Sequence, residues 1–295
     1  MQTRNNVNEF SNFHPFVNLL YFILVIGFSM FFMNPVFLLI SIIAGAVYSI
    51  VLKGNRAVRF NLIVLLPTIL ITMLLNPAFN HNGTTILLYL PSGNPLTLES
   101  ILYGVAAGTM LAAVICWFSC FNEIMTSDKF VYLFGKITPS LSLILSMTLR
   151  FVPKFKKQFL SVAASQKNIG RSIYKGKLLK RLRCAATIVS IMVTWSLENA
   201  IDTADSMKSR GYGLCKRSAF SIFKFDSRDK LALTYLIIAV VSMISAIQCG
   251  GVNFSYFPSI SFNVSIAAGT VAIIAYFMLC TMPIWIELWE MNKWK

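Results

Sequence analysis

Six apolar runs, each near the length of a bilayer crossing, leave this chain few ways to fold: 16–33, 35–52, 58–75, 100–121, 231–249 and 262–282. Hydrocarbon offers no partner to a backbone N–H or C=O, so an apolar segment of about 20 residues reads as a transmembrane helix. Composition supports that reading. Charged residues make up 13% of the 295, about half the share of a soluble domain and too few to cover a water-facing surface. The sequence therefore predicts an all-α integral membrane protein. It has about six transmembrane helices, with long amphipathic cytoplasmic helices between the fourth and fifth.

The connections assign the two faces. Residues 53–59 carry Lys53, Arg56 and Arg59, whereas the turn at Asn34-Pro35 and the loops 76–97 and 250–261 hold no Lys or Arg. By the positive-inside rule the first is cytoplasmic and the other three lie outside. Residues 122–230 then fall inside, as do both termini, with Arg4 at one end and Lys293 and Lys295 at the other. The expected location is the cell inner (plasma) membrane, crossed several times. Three regions follow: an N-terminal membrane domain of four spans (1–121), a basic cytoplasmic domain (122–230), and C-terminal membrane helices with a cytoplasmic tail (231–295). In the outer loop, Thr84–Leu90 lies between Asn82-Gly83 and Pro91-Ser92-Gly93-Asn94-Pro95, which predicts a short extended stretch or hairpin.

Charge is concentrated in the middle. Residues 150–230 hold 18 of the 26 Lys and Arg and 5 of the 11 Asp and Glu, a local net of +13 in a chain of +15. Thr138-Pro139 predicts a helix start. From Phe151, the residues Phe155, Phe159 and Val162 recur at three or four while Lys154, Lys156, Lys157 and Lys167 fill other positions. That is an amphipathic helix with a basic face, and it ends at Gly170. A second helical unit runs through Lys175–Arg183 and Cys184–Leu197 to Arg210-Gly211, with Arg210 in its last turn, where a cation meets the helix dipole favourably. Within the fourth span, Gly104, Gly108 and Ala112 recur every four residues, a spacing that lets helices approach closely, either within the chain or against a partner.

Motifs for self-contained chemistry are missing from the sequence. No G-x-x-x-x-G-K-[ST] loop occurs, so no P-loop nucleotide site is expected. His14, before Pro15, reads as a capping or interfacial residue, and His81 as a solvated loop residue. The six cysteines (Cys116, Cys120, Cys184, Cys215, Cys249 and Cys280) have no paired spacing, so neither a disulfide framework nor a zinc site is expected. No cofactor or bound metal is expected either. Glu99, Glu123 and Glu287 stand at span ends, whereas a self-contained ion-driven carrier places acids at mid-membrane. Glu198, Asp202 and Asp205 share one helix face. Two uses are open to them: pairing with neighbouring cations, or holding a divalent metal in a membrane-embedded transferase acting on a phosphorylated lipid. A basic membrane anchor for an acidic partner, nucleic acid included, is a third reading of the block.

Across that block the residues carry a family resemblance. Thr126-Ser127-Asp128, Ile137-Thr138-Pro139, Met147-Thr148-Leu149-Arg150-Phe151-Val152-Pro153, Gln166-Lys167, Ser196-Leu197-Glu198 and Met207-Lys208-Ser209-Arg210-Gly211-Tyr212-Gly213 resemble the transmembrane (T) component of energy-coupling-factor transporters, ABC-type importers of vitamins and transition metals. Phe13-His14-Pro15 and the hydrophobic layout are similar too. The resemblance implies an energy-coupling scaffold without its own nucleotide site. Its partners would be two ABC ATPase subunits and a substrate-binding membrane (S) component, with the lipid bilayer around them and no nucleic acid. It also implies that two short Ala-Arg-Gly motifs close the cytoplasmic coupling helices that dock on the ATPases. Ser209-Arg210-Gly211 matches the second. At the first stands Asn168-Ile169-Gly170, without the arginine, and the following Arg171 is out of register. A guanidinium seated in a partner's groove is worth about 1.5–3 kcal/mol in charged hydrogen bonds.

Overall fold

The computed structural model describes residues 9–89, 95–171, 177–214, 223–262 and 265–293. Arg4, Lys295, Cys215 and the expected turn at 91–94 lie outside them. The chain is an all-α integral membrane protein, and six of the described helices are long and apolar enough to cross a membrane.

Helix ends are set by local chemistry. Helix α1 (Pro15–Phe31) starts with proline at its first position, and His14 Nδ1 accepts the Phe16 N–H at 3.2 Å. Capping, one of the two roles expected of His14, is the role it plays. Helix α2 (Pro35–Lys53) repeats the device, with Asn34 Oδ1 accepting from Val36 N at 3.1 Å. Proline's missing N–H is one of the donors that a helix start leaves unpaired anyway. Pro35 also keeps Asn34 extended, so α1 has to stop before it. Helices α3 (Asn55–Phe60) and α4 (Leu66–Phe79) join through a π-helical turn at Asn61–Leu65, just before Pro67. Helices α5 (Leu98–Ile124), α6 (Ser127–Ile137), α7 (Pro139–Asn168), α8 (Leu178–Ser209), α9 (Ser227–Gln248) and α10 (Ile266–Lys293) complete the set.

Five of the six expected spans coincide with helices long enough to cross. The first coincides with α1, an apolar helix of 17 residues, about 26 Å and at the short end of crossing lengths. The sixth crossing-length helix is α8, whose apolar middle is carried on a longer amphipathic helix. Between α4 and α5, strand β1 (Ile86–Tyr89) pairs antiparallel with β2 (Pro95–Thr97), so the hairpin alternative is the one formed. A smaller hairpin, β3 (Phe254–Ser255) with β4 (Ser261–Phe262), was not anticipated, since its strands have two residues each.

The described residues form two compact units: residues up to Lys129 with Phe223 onward, and Phe130–Ile222. In the first, α5 packs on α4, α2 and α1, and α10 on α9 and α2. Its centre is aromatic. Phe10, Tyr21 and Trp117 are fully buried, with Tyr21 edge-on to Phe10 at 5.2 Å and to Trp117 at 6.1 Å. Two of the polar tips are satisfied inside the bundle, Trp117 Nε1 donating to Ser41 Oγ at 3.1 Å and Tyr21 Oη to the Cys280 carbonyl at 3.3 Å.

Close approach between α4 and α5 depends on the missing Cβ atoms of Gly104 and Gly108. A Cβ on Gly108 would collide with Thr72 Oγ1 and stand 2.9 Å from Ile69 Cα, and one on Gly104 would stand 3.1 Å from the Thr72 carbonyl. Ala112 is fully buried one turn on, in a cluster with Leu65 and Cys116. Gly108→Val is expected to destabilise the bundle by about 1–3 kcal/mol through overpacking. Gly27→Ala, where an added Cβ meets nothing within 4 Å, should leave it unchanged. Thermal unfolding of both variants in detergent checks the contrast.

Candidate functional site

The second unit holds α7 and α8, which pair antiparallel. Phe155 meets the Trp195 ring edge-on at 5.3 Å, and Lys154 Nζ donates to Asn199 Oδ1 at 2.7 Å. Towards the other end, Cys184 Sγ donates to the Arg171 carbonyl at 3.3 Å. Rising positions on α7 thus meet falling positions on α8. Between them Cys184, Ile188 and Met192 are buried against Phe155, Val162, Ala163 and Trp195. The segments read separately in the sequence join: α7 runs unbroken through 140–151 to Asn168, and α8 runs unbroken from Leu178 through 184–197 to Ser209.

Both helices stop in the same way. In α7, Ile169 is the C-cap (φ −85°, ψ 10°), and Gly170 follows at φ +80°. The Gly170 N–H donates to the Lys167 carbonyl at 3.0 Å and that of Arg171 to Gln166 at 2.9 Å. In α8, Arg210 is the C-cap (φ −84°, ψ 8°) and Gly211 follows at φ +77°, with Gly211 N–H donating to Lys208 at 2.9 Å and Tyr212 to Met207 at 3.1 Å. This is the Schellman arrangement, in which glycine takes a left-handed conformation costly to other residues. It is not confined to this pair, since α9 closes likewise on Cys249 and Gly250. What differs is the C-cap side chain. Asn168-Ile169-Gly170 and Ser209-Arg210-Gly211 occupy equivalent backbone positions, so the isoleucine stands where the other motif has its arginine.

The antiparallel pairing keeps the two motifs apart. Arg171 sits beside Cys184, and Arg210 lies at the far end of α8, roughly 40 Å along the helix at 1.5 Å per residue. Asn168, Ile169, Gly170, Arg171, Ser209 and Arg210 are exposed, Ile169 at 70%, and Gly211 is half-buried. The acids Glu198, Asp202 and Asp205 are exposed too. Asp205 faces Lys208 at 4.0 Å, a pair one turn apart of the kind expected for this face. Among the described residues no three His, Cys, Asp or Glu side chains form a group able to hold a metal ion.

Two features of the first unit escaped the sequence reading. Asp229 is buried and its carboxylate serves two segments, accepting from His14 N–H at 2.8 Å and from Asp226 N–H at 2.9 Å. It thereby ties the start of α1 to the start of α9. Lys129 is buried, and its ammonium donates to Ser11 Oγ at 3.0 Å, to the Ser11 carbonyl, and to the Ile124 carbonyl at 2.9 Å, closing the end of α5. The nearby helix stop at Thr126-Ser127-Asp128 is the available signal that an end needs closing there, but nothing in the residue itself separates Lys129 from a solvated lysine.

Burial pushes the Lys129 ammonium down from 10.5 to about 8. Between those values the unfolded chain carries a proton that the folded chain has released, so stability contributed here rises with pH. Thermal unfolding in detergent at about pH 7.5 and about pH 9.5 is expected to show that rise in the parent protein. Lys129→Gln should lose this part of it, because its side chain has no proton to release.

No family model matches the chain. Curated relatives do. It is similar to the energy-coupling factor transporter transmembrane protein EcfT of Lactobacillus helveticus (strain DPC 4571), 34% identical over 101 residues, 34% of this chain and 36% of the relative. With the EcfT of Lactococcus lactis subsp. cremoris (strain MG1363) the identity is 33% over 105 residues, 35% and 40% of the two chains. With that of Staphylococcus aureus (strain 04-02981) it is 27% over 113 residues, 38% and 42%. The chain thus spans about two fifths of the length of the relatives it matches. The resemblance read from residues 126–213 and these matches name the same family.

Proposed function

We propose that this protein is the energy-coupling transmembrane component of an ECF-type importer. It would transmit ATP-driven movement of two ABC ATPase subunits to a separate substrate-binding membrane subunit that takes up a vitamin or a metal ion. The observation that carries this reading is the pair of equivalent helix ends on one antiparallel hairpin, with exposed Ile169 and Arg210 about 40 Å apart. Two docking points at opposite ends of a packed helix pair suit a part that receives force from two bodies. The similarity to proteins named as energy-coupling factor transmembrane components supports it.

In this reading the chain hydrolyses nothing itself, and nucleotide chemistry belongs to the ATPases. Residues 122–230 form the cytoplasmic coupling region between membrane parts 1–121 and 231–295, and both termini are cytoplasmic. Arg210 meets carboxylates in one ATPase groove. Ile169, with Arg171 beside it, makes a mainly apolar contact in the other. A charged hydrogen bond at one end and burial at the other are different contacts, and each is disrupted by a different substitution.

Two ABC ATPases and a small hydrophobic membrane protein are therefore expected to co-purify with this chain from detergent. Arg210→Glu should abolish ATP-driven uptake while the chain still inserts in the membrane. Ile169→Asp should weaken retention of the ATPases without reversing a charge pair, an effect of about tenfold for one apolar contact of 1–2 kcal/mol. Normal uptake by Arg210→Glu would refute the coupling role. Loss of uptake with all partners retained would move that role from docking to transmission.

A further inference from the structure

We propose that the seam between α7 and α8 holds one anionic phospholipid, its phosphate in a cationic cleft and an acyl chain along the apolar groove that follows. The cleft has a volume of about 640 Å³, in the range of small-molecule sites. Arg150, Lys154 and Arg210 line it against one carboxylate, Asp202, with Asn199 and Ser206 adding neutral polar groups. The Arg150 guanidinium offers the planar donor fork that matches phosphate oxygens.

Lys154 is already fixed there. Besides its bond to Asn199, its ammonium lies 5.3 Å from the Trp195 ring centre and 5.7 Å from that of Phe151. A cation ordered before binding loses less entropy when an anion arrives. Charge and preorganisation together favour a phosphate.

The lipid source follows from what adjoins the cleft. Its lining positions 147, 151 and 154 on α7 continue at 155 and 159, and 206, 203 and 199 on α8 continue at 196 and 192. On these stripes lies a second hollow of about 440 Å³ whose lining includes Phe155, Phe159, Val189, Met192 and Leu197. Val189, Val193 and Leu197 are more than half exposed, on a helix apolar enough to cross a membrane. A cationic hollow leading into an apolar one along one seam matches the two parts of a phospholipid, and the inner leaflet supplies anionic headgroups. The inference rests on this cleft alone and does not depend on the transport reading.

Native mass spectrometry of the full chain in detergent, titrated with phosphatidylglycerol and with phosphatidylcholine, tests it. One phosphatidylglycerol is expected to be retained preferentially. The Arg150→Gln, Lys154→Gln double variant should lose about fivefold in affinity per cation, the membrane-surface value for one Lys or Arg. Lys180→Gln with Arg183→Gln, outside both hollows, should change it little. Equal retention of the two lipids would overturn the proposal, as would an equal loss in the control variant. Competition by glycerol phosphate as strong as that by the whole lipid would assign the cleft to a soluble phosphate. Capture of a glutamate-rich peptide with no lipid preference would assign it to an acidic protein. Either result would also overturn the lipid assignment.

Discussion

Helix ends carry the greatest demand in this molecule. Within hydrocarbon each helix satisfies its own backbone except at the first and last turns, where four N–H or four C=O groups are left over. The structure meets that need with a small set of devices. His14, Asn34 and Thr97 accept N–H groups at helix starts, Asp226 and Asp229 form a reciprocal capping box, and Lys129 covers a carbonyl at the end of α5. Helices α7, α8 and α9 close on a left-handed glycine. Several of these devices also join distant segments, as when Asp229 reaches His14 across 215 residues of chain.

Between the ends, the bundle cannot depend on water to drive helices together, because lipid tails are as apolar as leucine. Contact then has to come from shape and from hydrogen bonds. Gly104 and Gly108 bring α5 against α4 through the space left by their missing Cβ atoms. The aromatic centre around Tyr21 and Trp117 adds edge-to-face ring contacts, and Trp117 donates its hydrogen bond across helices to Ser41. Lys53 does the same at the boundary, donating to the Ser119 carbonyl at 2.9 Å with Glu123 nearby at 3.8 Å. Polar side chains near the membrane are thus part of the packing.

Much of this was legible in the sequence, for identifiable reasons. Apolar length announces a spanning helix, and Asn-Pro, Thr-Pro and Arg-Gly mark helix boundaries through fixed backbone preferences. The stops at Gly170 and Gly211 follow from local chemistry alone. Length was the weaker guide where a helix is short or mixed: α1 has 17 residues, and α8, read in the sequence as part of an amphipathic block, reaches crossing length and hydropathy. Lys129 and Asp229 were hidden because their roles depend on partners remote in sequence. The cleft at Arg150, Lys154 and Arg210 was hidden likewise, since it exists only once α7 and α8 lie antiparallel.

The matched ends of α7 and α8 have a consequence for how such a part changes over time. A Schellman turn is held by main-chain bonds and by glycine's left-handed conformation, so the C-cap side chain takes no part in closing the helix. Its chemistry can be exchanged while the mount beneath it stays the same. Isoleucine and arginine are then two fittings on one handle. Under the coupling role proposed above, each end can be matched separately to its own partner surface, and the bar between them need not be reshaped.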